Sequence, residues 1–160
     1  MSSTPNTTDY TPDYTHQAID TTRREIRVSA VAIRDSAGLV LTVRKNGTDG
    51  FMMPGGKPDP GEDALDAAVR EVTEELGFAP DPARLHFLGT FSAPALNENG
   101  FTVIADSFEY RPTQAEEAHL KQNAPRAEIA EMRWVDPATD TREQAPLNID
   151  CIFPALLAQR

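Results

Sequence analysis

The stretch from Gly56 to Phe78 constrains this chain more than any other, because it combines a glycine turn, a helix-period pattern and a second glycine where the pattern stops. It reads Gly56-x5-Glu62-x7-Arg70-Glu71-Val72-x-Glu74-Glu75-x-Gly77-Phe78. At about 100° per residue, Leu65, Val69, Val72 and Leu76 share one side of a helix, and Glu71, Glu74 and Glu75 lie on the opposite side. The spacing predicts a helix from Asp63 to Leu76 that ends at Gly77.

A solvated acidic face is the plain reading of such a pattern, but two local costs argue against it. Like charges three and four residues apart repel. Glu74 and Glu75 also occupy the last turn, where the helix dipole disfavours anions. A divalent cation reverses both penalties, since three carboxylates converging from adjacent turns offer the hard oxygen ligands that suit Mg²⁺ or Mn²⁺. The loop before the helix, Met53-Pro54-Gly55-Gly56-Lys57-Pro58-Asp59-Pro60-Gly61, adds to this. Its paired glycines allow close backbone approach and its prolines stiffen it, so the Gly55 carbonyl is a candidate ligand.

These residues match the Nudix box, GX5EX7REUXEEXGU with U a bulky apolar residue, at every fixed position. The chain therefore resembles the Nudix (MutT-like) hydrolases. The resemblance implies an α/β fold, an α/β/α sandwich with a mixed β-sheet. It also implies hydrolysis of a nucleoside diphosphate linked to another moiety. By position, Glu74 and Glu75 would be the central metal ligands, with Glu71 a further ligand or the base that activates water. Arg70 would orient the glutamates, Glu62 would be a supporting acid, and Gly56 would belong to the supporting turn.

The chemistry follows from the substrate class. A pyrophosphate carries several negative charges and repels hydroxide, so its site must neutralise oxygens and generate a nucleophile at neutral pH, which bound divalent metals do. Carboxylates then hold the metals and accept the proton. The expected products are a nucleoside monophosphate and the phosphorylated remainder, or pyrophosphate when the substrate is a triphosphate.

The chain has 160 residues and a formal net charge of −10. That length suits one domain, and that charge argues against a nucleic-acid polymer as partner. The expected partner is a small-molecule nucleotide, and the expected state is a monomer or homodimer. Cys151 is the only cysteine, which excludes an intrachain disulfide and favours core packing for its thiol. No long apolar run or signal-peptide pattern is present, so a cytoplasmic protein without membrane attachment is expected. Residues 1–22 are rich in Ser, Thr, Asp and Pro and are expected to form a flexible tail, with Tyr10 and Tyr14 in a short repeat. The catalytic domain would then span residues 23–160.

Within that domain, Ile26 to Arg34 and Leu39 to Arg44 read as a hairpin turning at Asp35-Ser36-Ala37-Gly38. Strands are expected near Leu85 to Phe91, Phe101 to Tyr110 and Glu131 to Val135. Helices are expected near Gln114 to Gln122 and Ile149 to Ala158. Strands interrupted by helices suit a mixed sheet covered on both faces.

Outside the box, Glu128 precedes Trp134 by six residues, resembling the place where some Nudix enzymes bring a further carboxylate into the site from a loop. Glu116, Glu117 and Glu131 are its rivals, and Trp134 reads as core. Pro94, sixteen residues after Phe78, resembles a mark of the ADP-ribose pyrophosphatase branch. Asn148 resembles the asparagine with which the MutT-type branch reads guanine, a helix cap being the alternative. Pro94 and Asn148 are thus candidate substrate-binding residues, and nucleoside triphosphates and ADP-ribose-like dinucleotides stand level as substrates. A non-catalytic nucleotide-binding sensor of Nudix fold is the alternative function.

Overall fold

The computed structural model describes Tyr10 and residues 18–159. Two sheets form the frame. The larger holds β1 (Ile19–Asp20), β2 (Glu25–Ile33), β5 (Gly55–Gly56), β6 (His86–Pro94) and β7 (Thr102–Tyr110), in the order β1-β2-β7-β6 with β5 also on β2. It is mixed: β2 runs parallel to β7 from Glu25↔Thr102 to Ile33↔Tyr110, and the other pairs are antiparallel. The smaller sheet is antiparallel, with β3 (Val40–Lys45) between β4 (Phe51–Met52) and β8 (Ile129–Val135).

Strand β2 explains the layering. Val31 and Ile33 belong to one buried cluster, with Val72 and Leu76 of α1 (Ala64–Leu76) and Leu120 of α2 (Gln114–Gln122). Ala30 and Ala32 belong to a second, with Phe153 and Leu156 of α3 (Phe153–Ala158). Alternate residues of one strand are buried on opposite faces, as expected where helices cover both sides of a sheet. The architecture is the α/β/α arrangement with a mixed sheet. No described helix is long and apolar enough to cross a membrane.

Helix α1 starts where Asp63 accepts a 2.7 Å hydrogen bond from the Asp66 amide, and it ends at Gly77 in the left-handed conformation (φ 63°). Helix α2 opens on a capping box between Thr113 and Glu116. Before α3 the chain makes a π-type turn over Asn148–Ile152, so the expected closing helix is two unlike pieces.

The expected hairpin is corrected. The turn at residues 35–38 forms, with a bridge between Arg34 and Val40, but β2 and β3 then diverge into different sheets. Longer partners win, since β2 gains a nine-residue ladder with β7 and β3 pairs with β8. Strand β6 continues past Phe91 to Pro94, and β8 begins two residues before Glu131. Trp134 is partly buried against the first cluster with Lys121 Nζ 5.0 Å from its ring centroid, and Cys151 is partly buried against the second.

Most of the expected tail, Tyr14 included, lies outside the described residues. Of its described residues, Tyr10 packs its ring against Phe87 and Phe108 and accepts a 3.1 Å hydrogen bond from the Leu65 amide. Ile19–Asp20 pair with β2.

Candidate active site

Residues 64, 68, 71 and 75 recur at helical spacing, and this stripe turns the carboxyl-terminal half of α1 toward β5. Ala64 and Ala68 are buried at its near end, where Ser29 Oγ donates a 2.6 Å hydrogen bond to the Ala64 carbonyl. Their small side chains let the helix lie close to the sheet. Glu71 and Glu75 then arrive beside the two glycines. A Cβ on Gly56 would stand 2.5 Å from Glu71 Cδ, so the approach needs a residue without one.

Glu75 is only 2% exposed, so at this position the carboxylate side of α1 is not a solvated face. Its Oε1 accepts a 2.9 Å hydrogen bond from the Gly55 amide, while Oε2 is buried without a partner among the described residues. Burial pushes its carboxyl up to about 8, against the Gly55 hydrogen bond and the charge of Lys45; Glu71 and Glu128 add to the rise. Burial likewise raises Glu71, with Arg70 opposing.

Arg70 ties the loop to the helix. Its Nε and NH2 donate to the two oxygens of Glu62, each at 2.9 Å, NH1 donates to Glu71 Oε1 at 2.9 Å, and NH2 also donates to the Lys57 carbonyl at 3.0 Å. Glu74 lies 3.5 Å from NH1 and is exposed. The paired hydrogen bonds from Arg70 hold Glu62 below its ordinary range. Glu71, Glu74 and Glu75 are not drawn together in this structure: among the described residues no three acidic, His or Cys side chains are grouped as a metal site. The reason is local, because Arg70 draws Glu71 and Glu74 to its guanidinium while the Gly55 amide keeps Glu75 inward.

Gly55, Gly56 and Glu71 line a cleft of about 390 Å³ between the sheets. Glu128 lines it too. Its rivals do not: Glu116 bonds Arg84 and Tyr110, Glu117 bonds Ser36 and pairs with Lys121, and Glu131 pairs with Arg44. Pro94 and Asn148 also face the cleft. Asn148 is fully buried, and its Nδ2 donates to the Phe51 carbonyl at 3.2 Å and to Gln144 Oε1 at 2.9 Å. Its Oδ1 has no partner. The side chain therefore caps no helix, because a cap needs the amide oxygen to accept from a backbone N–H of the following turn and Oδ1 accepts none there.

Sequence reasoning missed Lys45 at the end of β3, Asp59 and Glu98 on loops, and the apolar wall of Ile26, Val28 and Val103. Alternation in β2 could have grouped Ile26 and Val28 on one face. Nothing local marked Lys45. The cleft carries four carboxylates, Asp59, Glu71, Glu98 and Glu128, against the ammonium groups of Lys45 and Lys57.

A profile of the NUDIX domain matches residues 23–153. The chain belongs to the Nudix family. Its structure is similar to that of the MutT protein from Methanosarcina mazei Go1 (TM-score 0.61, 22% identity, covering 86% of this chain and 96% of that one). It is also similar to the MutT Nudix hydrolase from Burkholderia pseudomallei (TM-score 0.63, 20% identity, 85% and 98%). At these identities the likeness establishes the Nudix fold. A Bacillus subtilis (strain 168) protein named as a proposed 8-oxo-dGTP diphosphatase is 40% identical over 48 residues, which span 30% of this chain and 32% of that one.

The donor set fits the divalent cation associated with the Nudix box. The oxygens available are hard, the buried Oε2 of Glu75 lacks a partner, and carboxylates outnumber cations in the cleft. Gly55, Glu71, Glu74 and Glu75 are the residues that could hold such an ion, with Glu128 beside them.

Proposed function

We propose that this protein is a Mg²⁺- or Mn²⁺-dependent Nudix pyrophosphohydrolase that cleaves the phosphoanhydride of a nucleoside triphosphate or an ADP-ribose-like dinucleotide and releases a nucleoside monophosphate. The observation that carries this reading is the excess of carboxylate around a cleft of nucleotide-compatible size, with Glu75 buried and half unpartnered behind Gly55 of its lining. An anionic diphosphate would be repelled there unless cations came with it. When bound, divalent cations neutralise phosphate oxygens and make water nucleophilic at neutral pH.

The chain's own groups supply the rest. Glu71 is the leading base, taking a proton from the attacking water as its oxygen bonds to phosphorus and the bridging P–O bond breaks. Its carboxylate is oriented by Arg70, which the loop acid Glu62 holds in turn. Glu128 is the rival base, brought to the cleft by the loop before β8. Lys45 and Lys57 are placed to meet phosphate oxygens that the carboxylates cannot. The base would lie on the apolar wall of Ile26, Val28 and Val103, bounded by Pro94. Both donors of Asn148 are engaged and its Oδ1 is buried, so its amide would read a base at that edge only by giving up its bond to Phe51 or Gln144.

The test is a panel of nucleoside triphosphates, ADP-ribose, sugar nucleotides and dinucleoside polyphosphates with Mg²⁺ or Mn²⁺, run in ¹⁸O-labelled water. Metal-dependent release of a nucleoside monophosphate, with label within the cleaved diphosphate products, is expected. Binding without turnover would mark a sensor, and label only in free orthophosphate would contradict cleavage within the bridge.

A further inference from the structure

The loop from residue 123 to residue 128 carries Glu128 into the cleft, and its attachments are concentrated at the carboxyl end of α1. The Arg126 amide donates a 3.0 Å hydrogen bond to the Glu75 carbonyl, and the Ile129 amide returns to the Arg126 carbonyl at 3.1 Å. Between them Ala127 takes a left-handed conformation (φ 54°), which a residue with a Cβ adopts at a cost. The Glu128 carbonyl then accepts a 2.7 Å hydrogen bond from the Asn46 amide, next to Lys45. The chain is thus pinned on both sides of a strained residue, immediately before the acid that lines the cleft.

The Arg126 side chain adds a contact that the backbone does not explain. Its guanidinium lies close against Gly77: a Cβ on that glycine would come 2.5 Å from Nε and 2.6 Å from Cζ. Gly77 terminates α1, whose last turn contains Glu74 and Glu75 and no basic residue. The carbonyl end of a helix carries partial negative charge, and a cation over it is favourable. Arg126 supplies from a distant loop the charge that α1 lacks in its own sequence. Arg126 does not itself line the cleft, so any influence on the chemistry runs through its neighbours.

Building on the function proposed above, we infer that Arg126 is a positioning residue: by lying over Gly77 it clamps the 123–128 loop to the end of α1 and so sets Glu128 beside Glu71 and Glu75.

Two measurements on the full chain test this. The first needs no activity. In the metal-free protein, amide hydrogen exchange at residues 46, 126 and 129 is compared among wild type, Arg126→Ala and Arg126→Lys, with Val31 in β2 as the core reference. Arg126→Ala should speed exchange at residues 46 and 126 by about tenfold while Val31 is unchanged, and Arg126→Lys, which keeps the charge, should restore at least half of the protection on a logarithmic scale. Unchanged exchange at 46 and 126 in Arg126→Ala would overturn the clamp. The second is steady-state hydrolysis at saturating Mg²⁺ of whichever nucleotide the wild type turns over. Arg126→Ala should lower kcat about three- to tenfold with KM unchanged, and Arg126→Ala combined with Glu128→Gln should be no slower than Glu128→Gln alone. A full additional loss in the double variant would show that Arg126 does not act through Glu128. A wild type that hydrolyses no nucleotide would refute the enzymatic reading, and the exchange measurement would still decide the clamp.

Discussion

A single 2.9 Å hydrogen bond joins the Gly55 amide to Glu75 Oε1, and the other oxygen of the same carboxylate is buried without a partner. Leaving a buried acceptor unmade costs about 1–3 kcal/mol. A fold optimised for stability alone would place an apolar side chain there, as it does one residue later with Leu76, which is fully buried in the core. The pairing of a rigid glycine loop with a half-satisfied acid is the clearest mark of function in the molecule, and several consequences can be measured.

The pH dependence of stability should report Glu75 directly. Its ordinary value is 4.5 and its value in the fold is about 8. Between the two, the unfolded chain has lost a proton that the folded chain retains, so this group's contribution to stability is greatest below about pH 4.5 and is lost as pH rises toward 8. Across that window the loss is at most about 1.4 kcal/mol for each tenfold fall in proton concentration. In chelator, Glu75→Gln should therefore gain on wild type steadily between those pH values in urea unfolding. A constant difference between the two proteins from pH 5 to 8 would contradict the burial of a protonated acid.

Metal binding should act on the same proton. Adding Mg²⁺ at pH 7 is expected to raise the melting temperature of the wild type and to release protons, because an ion favours the carboxylate form. Glu75→Gln should release none, show weakened metal stabilisation and be nearly inactive. Metal-dependent turnover at the wild-type level in that variant would remove Glu75 from the site.

Arg70 and Glu62 should prove energetically coupled. The guanidinium makes two 2.9 Å hydrogen bonds to Glu62 and is 27% exposed, so a coupling of about 1–2 kcal/mol is reasonable after allowance for solvent. Because Glu62 is held below its ordinary range, that contribution is present above about pH 4.5 and fades as pH falls through the folded value. A double-mutant cycle of Arg70→Ala and Glu62→Gln at pH 7 and pH 3 measures both the coupling and its loss.

Gly56→Ala separates fold from function. The new methyl would meet the Glu71 carboxylate 2.5 Å away, and the far end of that side chain can swing aside. The melting temperature should shift by only a few degrees, while kcat should fall at least tenfold if the displaced carboxylate is the base, as proposed. Wild-type turnover in Gly56→Ala would place the base elsewhere, with Glu128 the first candidate. Direct comparison of Glu71→Gln with Glu128→Gln at saturating metal then ranks the two, since loss of a general base typically costs about 100- to 10,000-fold.

The helix from residue 64 to residue 76 was legible because its signals are local: an apolar period and a terminal glycine act within a few turns. The Nudix box was legible for the same reason, since its fixed residues fall on one loop and one helix. Glu128 could be singled out as a loop acid, but its three rivals could be set aside only once their ion pairs and hydrogen bonds were seen. The hairpin reading of β2 and β3 went astray because turn chemistry reports the turn and not the partner beyond it.

What the sequence by itself determined is the family, the longer helices and strands, and the acids from which a cation site can be made. Local propensity and a short motif set these, and both act between near neighbours in the chain. What only the tertiary structure decided is which of those acids is buried, which is held by Arg70, and which distant residues, Lys45, Glu128 and Asn148 among them, share one cleft. Burial and charge at such positions depend on elements far apart in sequence: Glu75 is raised because β5 lies on β2 beside α1. No pattern within the Nudix box encodes that pairing, because it arises only when the sheet has formed.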